Sequence, residues 1–284
     1  MAQEKEKINI CFALIHNNDI ERNGYLRPLL FELRNSIQEN FEVTQIEVSN
    51  QSEFIPQAIS IVIFKSFIYE KLDREWYRYR KIKPGNILLV APYFIMENIM
   101  KYIFKRNIGT LWNRRSFVET IITDKHIRVW NAFIETNCDY LFCFEDDVIF
   151  LNDSTKRICD LMDVLLNNRL KHFAYVDLAG GCVLADLRIS FLETHREGGF
   201  RYYSKPVTNT TCSYLLSKPL VSVFLGQLIK RPWLRLIAID WMINKLFMLI
   251  VKNKVECLCM HADPTIFKHG TTTGSYTSWK CSFC

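Results

Sequence analysis

The sequence predicts an α/β protein, and three observations carry that expectation. Short apolar runs of strand length alternate with longer amphipathic stretches of helical period along most of the 284 residues. The composition, 49% hydrophobic and 23% charged, suits a globular chain with apolar material for one large domain or two small ones. Residues 139–150, DYLFCFEDDVIF, read as a strand buried on both faces that opens onto Glu145, Asp146 and Asp147. No internal repeat or low-complexity linker interrupts the chain, so no domain boundary is drawn.

The elements follow in order. Residues 8–15, INICFALI, form a continuous apolar run and are a first strand; a polar turn and a helix over residues 25–40 come next. Residues 41–48 are a second strand, and the β-branched run ISIVIF at 59–64 a third. Residues 69–80 have helical character, Pro84-Gly85 marks a turn before the apolar run 86–91, and residues 94–104 read as another helix. In the 120–136 stretch, Ile122, Ile127, Val129, Trp130, Phe133 and Ile134 share one helical face just before the acidic strand. Beyond it come a helix at 154–168, a strand at 173–178 ending in Gly180-Gly181, and an extended segment at 211–216. A helix at 218–229, a helix containing Asp240 and a loop-rich tail complete the chain. Ligands of open α/β sheets bind outside the carboxyl ends of strands, which is where this order places the acids.

Three adjacent carboxylates dehydrated without partners would each cost several kcal/mol. A divalent cation is the natural partner, since Mg2+ and Mn2+ take oxygen ligands and Mg2+ is commonly shared with substrate phosphates. The alternative is a strand that ends at a solvated acidic turn.

Net charge is +6, from 36 basic and 30 acidic residues, which favours anionic ligands without naming one. Basic residues interleaved with aromatics gather at 70–84 and 105–115. They suit an anionic membrane surface or nucleic acid, or else a solvated helix face with Trp76 and Tyr79 packed inward. The opening MAQEKEK has no apolar core or cleavage pattern, and Asp240, Asn244 and Lys245 interrupt the apolar stretch 234–251. The expectation is a cytoplasmic chain with a buried helix there, and at most peripheral membrane association. Of ten cysteines, Cys11, Cys138, Cys143, Cys159, Cys182 and Cys212 are scattered and read as small buried hydrophobes. Cys257, Cys259, Cys281 and Cys284, with His261 and His269 between, are a weak zinc pattern because the first pair has a one-residue gap.

FCFEDDVIF, preceded by a helix carrying Lys125, His126 and Trp130, is followed by CSYLLS at 212–217, IDW at 239–241 and DPTIFKHGTTTGSYTSW at 263–279. In this order the landmarks resemble the lipopolysaccharide-type glycosyltransferases of family twenty-five, over roughly residues 110–279. The resemblance implies a GT-A fold, a Rossmann-like single domain with a mixed central sheet flanked by helices. Its first half, 1–150, would bind a nucleotide sugar, and 151–284 would shape the acceptor cleft. The activity implied is metal-dependent sugar transfer from a UDP- or GDP-linked donor to a hydroxyl of a glycan, glycolipid or glycoprotein, with inversion and without nucleic acid as a partner.

By that resemblance Glu145 and Asp147 lie nearest Mn2+ or Mg2+ and the ribose, with Asp146 between them. Asn113, Arg114 and Arg115 stand where the donor loop begins, and Lys125 lies close to the acidic strand. Asp240, inside apolar IAIDWM, is the candidate base for the acceptor hydroxyl, with helix capping as its plain alternative. His269 is a candidate metal ligand and Lys268 a candidate phosphate partner, or both are loop residues. Two rival readings stay open: a carboxylate-metal nuclease or phosphotransferase, and a noncatalytic module whose C-terminal cysteines hold zinc.

Overall fold

Strand β1 (Ile8–Ile15) is flanked on both sides by parallel strands, which is why its last six residues are buried. A computed structural model describes residues 8–38, 40–49, 59–81, 117–168, 171–180, 189–208 and 211–273, with isolated positions between 92 and 99. After β1 the chain runs through α1 (Ile20–Ile37) to β2 (Phe41–Val48), then α2 (Ile59–Lys81) and α3 (Phe117–Ile134). It continues through β3 (Tyr140–Glu145), β4 (Val148–Phe150), α4 (Ser154–Asn167) and β5 (Ala174–Asp177). The hairpin β6 (Glu193–Glu197) and β7 (Phe200–Tyr203), then β8 (Ser213–Ser217) and α5 (Lys218–Lys230), follow. Helix α6 (Ile239–Lys252), β9 (Leu258–Ala262), β10 (Phe267–His269) and the short α7 (Gly270–Thr273) end the described chain.

Contacts divide the chain into two units interleaved in sequence: 1–50, 125–226 and 256–284 in the first, 51–124 and 227–255 in the second. The first unit holds an eight-stranded mixed sheet in the order β2-β1-β3-β8-β5-β9-β7-β6, with β10 and β4 as a separate antiparallel pair. The protein is therefore α/β, with a large mixed sheet flanked by helices.

One face of that sheet carries the core. Phe12, Phe142 and Phe144 meet edge to face at 5.5 Å from Phe12, and Leu26, Leu30 and Leu33 of α1 and Ile158, Leu161 and Met162 of α4 belong to the same cluster. Each fully buried Phe contributes about 2 kcal/mol. On the other face, His126 and Trp130, four residues apart on α3, both reach the Tyr214 hydroxyl, and Trp130 packs on Phe224 of α5.

In the second unit α2 and α6 pack through aromatic rings: Trp241 meets Tyr69 at 6.4 Å and Trp76 at 6.3 Å. Trp76 and Tyr79 are both buried and stack on each other at 5.7 Å, so within the 70–84 basic stretch these two aromatics pack inward. Lys245 of α6 pairs with Glu75 of α2. No helix among the described residues is long and apolar enough to cross a membrane.

Three expectations differ from the structure, and one hairpin has no counterpart among them. The run 59–64 is the first two turns of α2 rather than a strand, because buried Lys65, Ile68, Tyr69, Leu72 and Trp76 set a helical period that continues through it. Helix α1 starts at Ile20, five residues early, because the Asp19 side chain accepts from the Arg22 amide at 3.0 Å and caps it. The 193–203 region forms a hairpin around Gly198-Gly199, both at positive φ. The tail expected to be loop-rich contributes β9 to the sheet and β10 to the β4 pair. Pro84-Gly85, the run 86–91 and the helix at 94–104 lie outside the described residues, apart from isolated positions.

Candidate functional site

The site forms at the carboxyl ends of β1 and β3. The connection from β1 runs to β2 on one side, whereas β3 lies on the other side of β1, so the strand order switches direction between them. At such a switch the helices diverge and leave a crevice for a ligand. Asn17 and Asn18 lie in the loop that follows β1, with Asn18 at φ 68°, a left-handed conformation that Asn tolerates well. Glu145 ends β3, and Asp146 and Asp147 make the turn into β4.

The three carboxylates, all less than a tenth exposed, diverge to three sets of partners. Glu145 lies on the α3 face of the sheet, where its Oε1 is 3.0 Å from His126 Nε2; the other ring nitrogen is 2.6 Å from the Tyr214 hydroxyl, which accepts from Trp130 at 3.2 Å. Burial opposes ionisation of Glu145, but the His126 hydrogen bond and charge, joined by Thr211 and His269, outweigh it and hold its pKa below the ordinary value.

Asp146 turns back towards β1 and α1. It accepts from the Asn17 amide at 3.0 Å and from buried Arg22 at 3.1 Å. Burial still pushes its pKa up, with Arg22 and the amide only partly opposing it. Lys125 is also buried here and donates to the His16 carbonyl at 2.6 Å. Burial brings its pKa down to about 8, against the pull of Asp146 and Glu145.

Asp147, 1% exposed, faces the returning tail. Its backbone carbonyl accepts from the Gly270 amide at 2.7 Å, its Oδ2 lies 3.2 Å from His269 Nδ1, and its Oδ1 accepts from the Cys212 thiol at 3.4 Å. Strand β10 is held for this by pairing with β4, where His269 faces Val148, and by α4. Ser154 donates to the Ile266 carbonyl at 2.7 Å and Arg157 to that of Thr265 at 2.7 Å. Asp147, Cys212 and His269 bring their donor atoms within 4.8 Å of one another, a set of carboxylate, thiol and imidazole that fits a divalent ion.

Of the residues expected at the site, the structure thus gathers Glu145, Asp146, Asp147, Lys125 and His269. Lys268 is exposed and, by strand alternation, points to the face opposite His269. Asp240 belongs to the second unit, in the first turn of α6, where it accepts from the Trp241 amide at 2.8 Å; no side chain at the N-cap Ala238 does this. Asn113, Arg114 and Arg115 lie outside the described residues. The sequence marks Cys212 as a small hydrophobe and Tyr214 only as part of the CSYLLS landmark, and gives no site signal for Asn17 or Thr211. Cys212 and Thr211 come to the site by their place just before β8, which runs antiparallel to β3 with Phe144 opposite Ser213. A further buried acid, Asp177, ends β5 on the same face as Tyr214 and accepts from the Gly180 amide at 2.8 Å. Burial pushes its pKa up.

The C-terminal cysteine pattern resolves only in part. Cys259 is buried in β9 against the Val207 carbonyl, and Cys281 and Cys284 lie outside the described residues. No protein-family model matches the sequence, and no curated protein matches it either.

Proposed function

We propose that the chain is a cation-dependent glycosyltransferase of GT-A type, moving a sugar from a nucleoside diphosphate donor to a glycan hydroxyl. The observation that supports this reading is the pair of buried Asp147 and half-buried His269 beside the β1/β3 switch, where a ligand's diphosphate and a cation can meet. Asp147 and His269 would hold the ion; Glu145, committed to His126 and Thr211, orients the strand end rather than ligating. A carboxylate with an imidazole suits Mn2+ better than Mg2+, which prefers oxygen alone. When bound, such an ion neutralises the departing diphosphate as a Lewis acid.

The chain's own groups have separate tasks in this reading. Lys125, whose ammonium lies beside the β1 carboxyl end at the His16 carbonyl, gives the crevice positive character for phosphate oxygens. Arg22 holds Asp146 against α1 and so fixes the turn that aims Asp147. Asp240 is the proposed base, on the sequence resemblance and its place in an apolar segment. Assays of UDP- and GDP-sugar hydrolysis with Mn2+, Mg2+ or Zn2+ test the reading. Cation-dependent release is expected from the native chain and not from Asp147→Ala; hydrolysis unchanged in that variant would remove the role assigned to Asp147.

A further inference from the structure

Cys212 has no place in the chemistry proposed above, yet its sulfur lies against the carboxylate at the centre of it. Cys212 is 1% exposed and directs its thiol at Asp147 Oδ1, 3.4 Å away, while Asp147 Oδ2 is 3.2 Å from His269 Nδ1. The carboxylate presents one oxygen to each neighbour. A tetrahedral ion with bonds of about 2.3 Å to sulfur and about 2.0 Å to nitrogen or oxygen holds sulfur and oxygen about 3.5 Å apart, and nitrogen and oxygen about 3.3 Å apart. The two observed separations are close to those lengths but run to different oxygens, so a turn of the Asp147 carboxylate is needed to bring one oxygen onto both edges; the three donor atoms already lie within 4.8 Å of one another.

The three donors come from three backbone segments fastened to one another. The Glu145 amide donates to the Cys212 carbonyl at 2.9 Å, the Gly270 amide to the Asp147 carbonyl at 2.7 Å, and His269 is paired in register with Val148. Donors held this way converge without reorganisation of the chain, which is the condition for a tight metal site.

We propose that Asp147, Cys212 and His269 form a three-ligand site for a thiolate-accepting divalent ion, Zn2+ or its analogue Co2+, in preference to Mg2+. The inference builds on the reading of this turn as a cation site and changes which ion it selects. On binding, the S–H bond of Cys212 breaks, the proton passes to solvent and the thiolate electron pair enters the metal–sulfur bond; no redox partner is needed. Three protein ligands leave the fourth tetrahedral position open, the arrangement of reactive rather than structural zinc, and a water or a phosphate oxygen can fill it.

Titration of the full chain with Co2+ tests this. One equivalent should give intense visible bands and a thiolate-to-cobalt charge-transfer band in the near ultraviolet, displaced by Zn2+ and not by a large excess of Mg2+. The band should vanish in Cys212→Ser and persist in a Cys281→Ser/Cys284→Ser chain. No band, or one unaffected by Cys212→Ser, overturns the proposal. Should Cys212→Ser not fold, zinc-edge X-ray absorption on the Cys281→Ser/Cys284→Ser chain decides: one sulfur at about 2.3 Å supports the site, and none or several refutes it. Cobalt bound through Cys212 without sugar-nucleotide hydrolysis would keep this site and remove the transferase reading. Mn2+-dependent hydrolysis indifferent to Cys212→Ser would do the reverse.

Discussion

Replacing His126 with Leu removes the partner that lets Glu145 be buried as a carboxylate. His126 is fully buried and touches Glu145 at 3.0 Å and the Tyr214 hydroxyl at 2.6 Å. Leucine fills similar space but satisfies neither. Each buried polar group deprived of a partner costs about 1–3 kcal/mol, more when charged, and breaking a buried pair from one side costs about 3–5 kcal/mol. Tyr214 keeps the Trp130 donor and Glu145 keeps Thr211, so the lower part of that range, about 3 kcal/mol, is expected. In a chain of this size that is roughly a 5 °C fall in Tm. Urea unfolding followed by near-ultraviolet circular dichroism, with matching thermal scans, measures it. The double variant His126→Leu/Glu145→Leu should recover most of the loss, because apolar replacement of both members of a buried pair is often neutral. A single-variant loss below about 1 kcal/mol, or a double variant no better than the single, refutes the claim that His126 holds the Glu145 charge.

Lys125 supplies a pH-dependent counterpart. Its folded pKa, about 8, lies below the unfolded value of about 10.4, so the unfolded chain binds more protons between those limits and stability rises with pH there. The full penalty, about 3 kcal/mol, applies below pH 8 and is relieved as pH climbs towards 10.4. Relative to Lys125→Met, the native chain should therefore gain stability between pH 7.5 and pH 10; a constant difference would show that the ammonium is not desolvated. Asp240→Asn keeps a side-chain oxygen for the Trp241 amide, so Tm should change little while turnover is lost and donor binding kept. A near-normal rate removes Asp240 as the base.

Much of the sheet was legible because its signals are local. Strands β1 and β2 have the bounds their apolar runs and flanking polar residues suggest, and Trp130 faces inward as helical spacing requires. The run 59–64 is ambiguous because its five β-branched and aromatic residues fit a strand as well as a helix, and only the longer window over α2 separates the two. Gly198-Gly199 is a strong two-residue hairpin signal, but β6 is exposed along most of its length and offers no apolar alternation to confirm it. At the site, the acids and their strand end could be read directly. Their divergence could not, since it depends on partners 124 residues away in Arg22 and 65 residues away in Cys212. A sequence signals that three carboxylates are adjacent; the turn after β3 decides that they point three ways.

Calorimetric titration of UDP and GDP into the chain, with and without a divalent ion, tests most directly whether the carboxyl ends of β1 and β3 bind a nucleoside diphosphate through a cation at Asp147. The account predicts binding that needs the ion and disappears in Asp147→Ala while the variant stays folded. Affinity that is the same without the ion, or intact in Asp147→Ala, would contradict it.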